Sequence, residues 1–155
     1  MLQKGEKVVA KNRKASFDYH LGERFEAGLV LTGTEIKSIR ASKADLKRAY
    51  ARPDENGEVW ILDLHISQYE QGNRANHEPE RKRKLLLHRR EINKIERALI
   101  DKGVTLVPTR LYLKNGRAKV EIALATGKKN YDKRQAIAKK DANRQVQREL
   151  KERSR

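Results

Sequence analysis

Two pairs of carboxylates lie close enough in the sequence to act together: Glu23 with Glu26, and Glu78 with Glu80. Paired carboxylates of this kind bind divalent metals or serve as a general acid and its base. The chain that carries them has a formal net charge of +16. In such a basic protein, salt bridges to neighbouring cations explain the two pairs more simply than catalysis does.

Histidines and cysteines offer no second route to catalysis. The chain has no cysteine, which excludes disulfides, thiolate nucleophiles and cysteine-based zinc sites. No Gly-rich phosphate loop, HExxH motif or GxSxG motif occurs. The sequence therefore predicts a protein that is not an enzyme and that binds no cofactor and no metal. Four histidines are present, without metal-ligand spacing: His20, His65, His77 and His88.

Cations are the residues whose chemistry the composition favours. The 37 Lys and Arg outnumber the 21 Asp and Glu, which predicts an extended polyanion as partner, because each neutralised phosphate releases counterions. Four consecutive cations, Arg81 to Lys84, repel one another and so indicate phosphate contacts. Asn12, Arg13 and Lys14 lie near Phe17, and cations beside aromatics are typical of RNA-binding sites. Phe17 itself alternates with its neighbours as a core residue does.

Nucleic acid is favoured over an anionic membrane as this polyanion. A membrane-spanning helix needs about 20 consecutive apolar residues, and the sequence has no such run. Residues 1–6 lack the apolar stretch and the cleavage site of a signal peptide. We expect a cytoplasmic, monomeric protein that binds RNA and no membrane.

The elements that must position these residues are mainly strands. Apolar residues alternate over 17–31, which predicts two strands joined near Gly22. Residues 45–51 and 58–66 predict a hairpin whose second strand is central to a sheet, with Trp60, Leu62, Leu64 and Ile66 on one face. Residues 104–113 and 117–125 flank Asn115-Gly116, the strongest short hairpin pattern. Pro108 marks an edge or a bulge in the first of these strands.

Helices are predicted at two places in the body. Thr32 and Glu35 have the spacing of a capping box, which predicts a helix over 34–41. Apolar residues at helical spacing, followed by Gly103, predict a helix over 89–102. Strands, helices and Gly-containing turns together indicate a mainly β chain: a small oligonucleotide-binding-type barrel with about three helices. The polar stretch 67–84 is long for a connector and indicates a functional loop.

A basic tail, residues 127–155, follows the barrel of residues 1–126. The tail has eleven Lys or Arg and four acids. Ala138, Ala142, Val146 and Leu150 recur at every fourth position, but burial at about 25 cal/mol per Å² returns little against an ordering cost of roughly 1 to 2 kcal/mol per residue. We expect the tail to be largely disordered when free and to fold when phosphates neutralise it. Packing on a coiled-coil partner is the alternative.

A set of ordered sequence strings resembles the SsrA-binding protein family, also called small protein B, the partners of transfer-messenger RNA in bacterial trans-translation. The strings cover most of residues 8–134 in the right order. They are Phe25-Glu26-Ala27-Gly28 continuing through Leu31 to Arg40, Gly72-Asn73 with Asn76-His77, Arg83 to His88, Lys119 to Ala125, Gly127-Lys128-Lys129, and Asp132-Lys133-Arg134.

The resemblance implies a barrel that binds the tRNA-like domain of transfer-messenger RNA and delivers it, charged with alanine, to stalled ribosomes. The tail would enter the vacant decoding centre and messenger channel of the small ribosomal subunit and become helical there. With the cations named above, the predicted transfer-messenger RNA contacts are Asn12, Arg13, Lys14, Glu26, Arg81, Arg83, Lys84 and Leu86. The predicted ribosome contacts are Gly127, Lys128, Lys129, Tyr131, Asp132, Lys133 and Arg134, with Tyr131 stacking on a ribosomal base.

Two other functions are compatible with the same amino-acid composition. A structural or assembly RNA-binding protein, such as a ribosomal protein with a basic extension, has the same charge and barrel. A metal-dependent nuclease would use Glu26 or His77. The RNA that co-purifies with the chain separates the first of these from the adaptor, and specific cleavage of RNA in Mg²⁺ tests the second.

Overall fold

The computed structural model describes residues 5–71 and 76–153, with the backbone alone of residues 130–132. Within these ranges the chain forms nine strands and four helices. The strands are β1 (Glu6–Lys11), β2 (Tyr19–Leu29), β3 (Ala44–Asp45), β4 (Tyr50–Pro53), β5 (Val59–Leu62), β6 (His65–Ile66), β7 (Arg83–Leu86), β8 (Val104–Lys114) and β9 (Arg117–Gly127). The helices are α1 (Arg13–Asp18), α2 (Gly33–Arg40), α3 (Arg89–Leu99) and α4 (Asn130–Arg153).

Six strands close into an antiparallel barrel. The order is β8-β4-β5-β7-β2-β9, and β9 pairs again with β8 to complete the ring. β1 pairs with β8 beside β4, on the edge of β8 that β9 leaves free. A short β3–β6 pair stands apart from the ring. With three helices in the body, this is the mainly β, oligonucleotide-binding-type barrel that the sequence predicted.

The barrel interior is filled by aliphatic side chains from every part of the ring. Val59, Ile61, Leu106, Val120 and Ile122 have no solvent exposure. Ile39 of α2 and Ile95 of α3 are equally buried and belong to the same cluster. Burial of apolar surface on this scale is the main favourable term for a domain of this size. The barrel therefore provides a rigid frame for the residues on its outer surface.

The β8–β9 hairpin forms as predicted. Asn115 and Gly116 have φ angles of 51° and 79°, the left-handed values that a tight two-residue hairpin turn requires. The register of β8 shifts between Pro108 and Arg110, so the predicted bulge at the proline is also confirmed.

The region 17–31 differs from the prediction of two strands joined near Gly22. It contains one strand, β2, whose register against β9 shifts between Leu21 and Arg24. Phe17 belongs to α1 and is half-buried, while Ala15 takes the buried position of that helix. The alternation of aromatics spans a helix–strand junction, and a short helix capped by Asn12 leaves little periodicity to detect.

The second strand of the predicted 45–66 hairpin is interrupted. Asp63 has a φ angle of 55°, and this left-handed residue shifts the alternation between β5 and β6. Val59 and Ile61 are buried before Asp63 and Leu64 is buried after it, so Trp60 and Leu62 do not share a face with Leu64 and Ile66 as predicted. β5 nevertheless lies between β4 and β7, so its predicted central place is confirmed.

Both predicted body helices form. Thr32 caps α2, and the reciprocal hydrogen bonds of a capping box join it to Glu35. α3 buries Ile92 and Ile95 on one stripe. The loop that follows β6 is attached to α2 through His77, whose Nδ1 lies 2.9 Å from Thr34 Oγ1 and whose Nε2 lies 2.9 Å from the Ile66 carbonyl. The Gly72-Asn73 string lies outside the described residues.

The tail has the helical form that the sequence predicted for its bound state, and its disorder when free stays a prediction. Residues 130–153 form one helix, α4, rich in Ala, Gln, Lys and Arg, which are strong helix formers. Its apolar side chains stay in solvent: Ile137, Val146 and Leu150 are 48%, 55% and 60% exposed. Among the described residues, α4 meets the body only near its first turns. Its helical form is therefore a local preference of the sequence.

Candidate nucleic-acid interface

Glu26 projects from β2 on the outside of the barrel. The Tyr112 hydroxyl of β8 donates a hydrogen bond to Glu26 Oε2, and Lys114 Nζ lies 3.5 Å from Oε1. The hydrogen bond from Tyr112 and the charges of Lys114 and Lys119 lower the pKa of Glu26 below its ordinary 4.5, against an opposing effect of burial. Glu26 is therefore a fixed, ionised acceptor with 40% of its side chain exposed.

Tyr112 is itself held by charged neighbours. The Arg110 guanidinium lies 4.2 Å from the centre of the Tyr112 ring and pairs with Glu6 at 3.3 Å and Glu121 at 3.4 Å. Burial and the hydrogen bond to Glu26 raise the pKa of the Tyr112 hydroxyl, so it remains a donor at all physiological pH values. This network fixes the direction in which the Glu26 carboxylate points.

We expect Tyr112→Phe to raise the pKa of Glu26 and to lower the free energy of unfolding by about 1 kcal/mol, after allowance for the solvent exposure of Glu26. Because the pKa of Glu26 is lowered on folding, its ionised carboxylate stabilises the fold fully when the pH is above the pKa of the unfolded state. This stability is lost as the pH falls through the pKa of the folded state. The difference between variant and wild type should therefore shrink in acid. Urea unfolding between about pH 3 and 7 measures it, with Tyr50→Phe as control.

An apolar groove lies beside Glu26. Leu86 of β7 is 54% exposed and forms the groove with Leu29, Leu31 and Ile36. Gly28 opposes Leu86 in the β2–β7 register, and a Cβ at Gly28 would lie 3.4 Å from Leu86 Cβ and 3.7 Å from Lys119 Nζ. The absence of a side chain at Gly28 thus lets the leucine and the lysine approach each other. Arg117 and Lys119 line the same groove, so it joins apolar and cationic surface.

The N-terminal candidates lie around α1, at the other end of β2. Arg13 and Lys14 are exposed on this helix. Both polar atoms of the Asn12 side chain form hydrogen bonds within the protein. Its Oδ1 accepts from the Ala15 N–H at 3.2 Å, and its Nδ2 donates to the Pro108 carbonyl at 2.9 Å. The Asn12 side chain therefore caps α1 and attaches it to β8, while the two cations face solvent.

The prediction for Arg83 is wrong. Its side chain has no solvent exposure and forms an ion pair with Glu35, which is equally buried. Arg83 also donates to the Leu64 carbonyl at 2.6 Å and the Pro79 carbonyl at 3.0 Å. A phosphate has no access to this guanidinium. The unpaired cation cluster that the sequence indicated is in part an internal ion-pair network.

The other cations of the cluster also have protein partners. Arg81 lies 2.6 Å from the second oxygen of Glu35 and keeps 37% exposure. Lys82 lies 4.8 Å from the Trp60 ring, and Lys84 pairs with Glu58 at 3.2 Å. Arg81 and Lys84 reach solvent but are less available to phosphate than their positions in the sequence suggested.

Glu35 is the centre of this network. Burial raises its pKa, but hydrogen bonds from Arg81, the Thr32 N–H and Arg83 outweigh burial and lower the pKa below 4.5. Burial lowers the pKa of Arg83, yet a guanidinium beside a carboxylate stays charged. The ion pair thus joins α2 to β7 across the end of the barrel.

The residues of the tail that are predicted to contact the ribosome begin at the junction of β9 with α4. Gly127 pairs with Tyr19, and the Lys128 N–H donates to the Asp18 carbonyl at 2.9 Å. Lys128 Nζ donates to the Ser16 carbonyl at 3.0 Å, and Lys133 Nζ lies 3.5 Å from Asp18 Oδ1. Lys129 and Arg134 are exposed, and the side chains of Tyr131 and Asp132 lie outside the described residues.

Two of the residues that shape the interface were missed by sequence reasoning. Tyr112 follows no motif and meets Glu26 across 86 positions of sequence. Glu35 was noted only for its capping spacing, although it also binds two arginines. Lys114 and Lys119 next to the Asn115-Gly116 turn could have been found, since a hairpin places residues flanking its turn on one surface.

Across 5–71 and 76–153, no group of three or more His, Asp or Glu side chains has the arrangement of a metal site. In that part of the chain, no helix is both long and apolar enough to cross a membrane.

The described surface is a basic barrel with an apolar and cationic groove beside Glu26, followed by a cationic helix, and the sequence matches a known family over nearly all of this region. The family model for SmpB protein covers residues 9–152. The chain belongs to the SmpB protein family. Membership extends over both the barrel and most of the tail, so the two parts occur together in the family.

Relatives and solved structures agree with this membership. An SsrA-binding protein of Shouchella clausii (strain KSM-K16) is 59% identical over 149 residues, covering 96% of this chain and 95% of the relative. One of Desulfitobacterium hafniense (strain DSM 10664 / DCB-2) is 57% identical over 152 residues, covering 98% and 97%. A solved structure described as "tmRNA-SmpB: a journey to the center of the bacterial ribosome" has a TM-score of 0.66 and 44% identity, covering 83% of this chain and 93% of that chain.

Proposed function

We propose that this protein is the RNA-binding adaptor of trans-translation, which binds the tRNA-like domain of transfer-messenger RNA and accompanies it to stalled ribosomes. Identity of 57% to 59% with SsrA-binding proteins over almost the whole chain carries the proposal. The protein acts by binding alone, in the cytoplasm where ribosomes work. Its net charge of +16 provides the long-range attraction for RNA.

The barrel contacts the tRNA-like domain through the groove beside Glu26. Leu86 offers an exposed apolar surface to a sugar or an unstacked base, and Lys119 lies close enough to contact the adjoining phosphate. The Glu26 carboxylate, held by Tyr112, accepts hydrogen bonds from base amino groups or ribose hydroxyls. An acid in a basic surface repels phosphate, so Glu26 favours a base edge at this position.

The tail contacts the ribosome. Lys129 and Arg134 are exposed at the start of α4, and the cations beyond them continue along a helix that stands in solvent. Ribosomal RNA in the decoding centre and the empty messenger channel would neutralise these charges and hold the helix in place. Gly127, Lys128 and Lys133 set where the helix begins, and Tyr131 is proposed to stack on a base.

Leu86→Ala tests the barrel half of this proposal. Because Leu86 is 54% exposed, the variant should unfold at nearly the same urea concentration as the wild type. Its affinity for the isolated tRNA-like domain should fall about tenfold, since each methylene of the leucine that the RNA buries contributes about 0.8 kcal/mol. Filter binding or fluorescence anisotropy at fixed salt measures the two dissociation constants.

Ile100→Ala is the matched control, because Ile100 is 81% exposed on a surface that takes no part in the groove. It should bind the tRNA-like domain as the wild type does. If Leu86→Ala and Ile100→Ala bind with equal affinity, the groove is not the contact. If the wild type prefers no RNA over an unrelated hairpin of the same length, the adaptor function itself is wrong.

A further inference from the structure

A second cleft lies between α1 and the turn that precedes β4. It is distinct from the apolar groove that Leu86 forms beside Glu26, which we call the Leu86 groove. We call this second cleft the α1 cleft; its volume is about 330 Å³. No residue is common to its lining and that of the Leu86 groove, and the two lie toward opposite ends of β2. The lining residues that matter here are Lys14, Asp18, Tyr19, Lys47, Arg48 and Tyr50.

The turn presents two cations at fixed positions. The Ala49 N–H donates to the Leu46 carbonyl at 3.0 Å, which closes a β-turn with Lys47 and Arg48 at its two central positions. Leu46 and Ala49 are 1% and 6% exposed, so both ends of the turn are anchored in the core. The Lys47 N–H also donates to Asp45 Oδ1 at 2.8 Å. The backbone of both cations is thus fixed at the mouth of the cleft.

The cations of the α1 cleft have no acidic partner among the described residues. Among the described residues, no ion pair involves Lys14, Lys47 or Arg48. The one acid in the cleft, Asp18, pairs with Lys133 of the tail at 3.5 Å. Three uncompensated positive charges thus converge on a small cleft, which favours an anion.

Aromatic rings complete the site. Tyr50 is 37% exposed and Tyr19 is half-buried, and both line the cleft. The buried side chains of Ala15 and Val107 lie beneath them as an apolar floor. Cations that bind phosphate, next to rings on which a base stacks, form the arrangement found where proteins hold an unpaired nucleotide.

We propose that the α1 cleft binds an unpaired nucleotide of the structured RNA partner, with its phosphate against Lys14, Lys47 and Arg48 and its base against Tyr50. The inference rests on the proposed function in taking RNA as the partner. It adds a second RNA contact at the opposite end of β2 from Leu86, next to the start of the tail. The nucleotide belongs either to transfer-messenger RNA or to the small ribosomal subunit.

The experiment measures the affinity of the full chain for transfer-messenger RNA and, separately, for isolated small ribosomal subunits, at several salt concentrations. The double variant Lys47→Ala, Arg48→Ala should bind either transfer-messenger RNA or the small ribosomal subunit at least tenfold more weakly than the wild type. Its slope of log affinity against log salt should become shallower by roughly 0.7 to 0.9, the value for one lost phosphate contact. Whichever RNA loses affinity is the source of the nucleotide.

Arg97→Ala with Lys102→Ala is the matched control, since it removes the same charge from exposed residues outside the cleft. Tyr50→Ala should lose about tenfold in affinity for the same RNA, and Tyr50→Phe, which keeps the ring, should bind more tightly than Tyr50→Ala.

Equal binding by the two double variants, for both RNAs, would overturn the α1 cleft. Equal binding by Tyr50→Ala and the wild type would overturn the stacking contact. A wild-type chain that binds neither RNA would overturn the proposed function instead, so the two failures are distinguishable.

Discussion

Replacing Glu35 by Gln is expected to lower the free energy of unfolding by about 3 to 5 kcal/mol, because it leaves the buried Arg83 guanidinium without its counter-charge. The neutral amide keeps the size of the side chain, so cavity formation does not contribute. The single tryptophan, Trp60, allows the transition in urea to be followed by fluorescence. A loss of this size is a large part of the stability of an ordinary domain.

The control for Glu35→Gln is Glu70→Gln. Glu70 pairs with Lys43 at 3.6 Å, but its side chain is 84% exposed, so its loss should cost less than about 1 kcal/mol. The pKa of Glu35 is lowered in the folded protein, so its contribution to stability is complete above about pH 4.5. This contribution is lost as the pH falls through the pKa of Glu35 in the folded state. Equal stability of the two variants at neutral pH would contradict the central role of Glu35.

Removing residues 130–155 is expected to abolish ribosome rescue while leaving affinity for the tRNA-like domain within about threefold of the wild type. The cut follows β9 and retains the Lys128 contacts with α1, so the barrel keeps all its strands. The small loss in affinity reflects the removal of long-range positive charge alone. A reconstituted translation reaction stalled on a truncated message, with transfer-messenger RNA present, measures rescue.

A second tail variant separates RNA contact from a coiled-coil partner. Val146→Ala with Leu150→Ala removes the largest apolar side chains of the outer half of α4 but keeps every cation. If the tail binds RNA through charge, this variant should rescue ribosomes within about twofold of the wild type. Loss of rescue as complete as that of the truncation would favour a helical protein partner instead.

Local sequence patterns predicted the elements that depend on adjacent residues. The Asn115-Gly116 turn, the bulge at Pro108 and the Thr32–Glu35 capping box were all found because each is encoded within a few positions. β5 was placed correctly at the centre of the sheet. Trp60 was wrongly assigned to the same face as Leu64, because the prediction assumed one uninterrupted strand. Asp63, which has a left-handed backbone, interrupts that strand and shifts the alternation.

The candidate site was less predictable, because its chemistry depends on contacts between distant residues. Four consecutive cations gave no indication that Arg83 would be buried against Glu35, which lies 48 positions away. Glu26 was selected by family resemblance, while the tyrosine that orients it has no local pattern. In the tail, the intrinsic preference of Ala, Gln, Lys and Arg for helix indicated a segment able to become helical, and the small area that it could bury led to the prediction of disorder when free.

β2 gives the protein a fixed internal length. Tyr19 at one end pairs with Gly127, where the tail departs, and Gly28 at the other end pairs with Leu86. Nine steps of a strand at about 3.3 Å per residue set an upper limit of about 30 Å on this separation, and the register shift between Leu21 and Arg24 shortens it. A closed barrel cannot stretch, so under the proposed function an RNA bound at Leu86 would determine where the tail starts. The barrel would then convert the position of one bound molecule into the point of entry for its own tail.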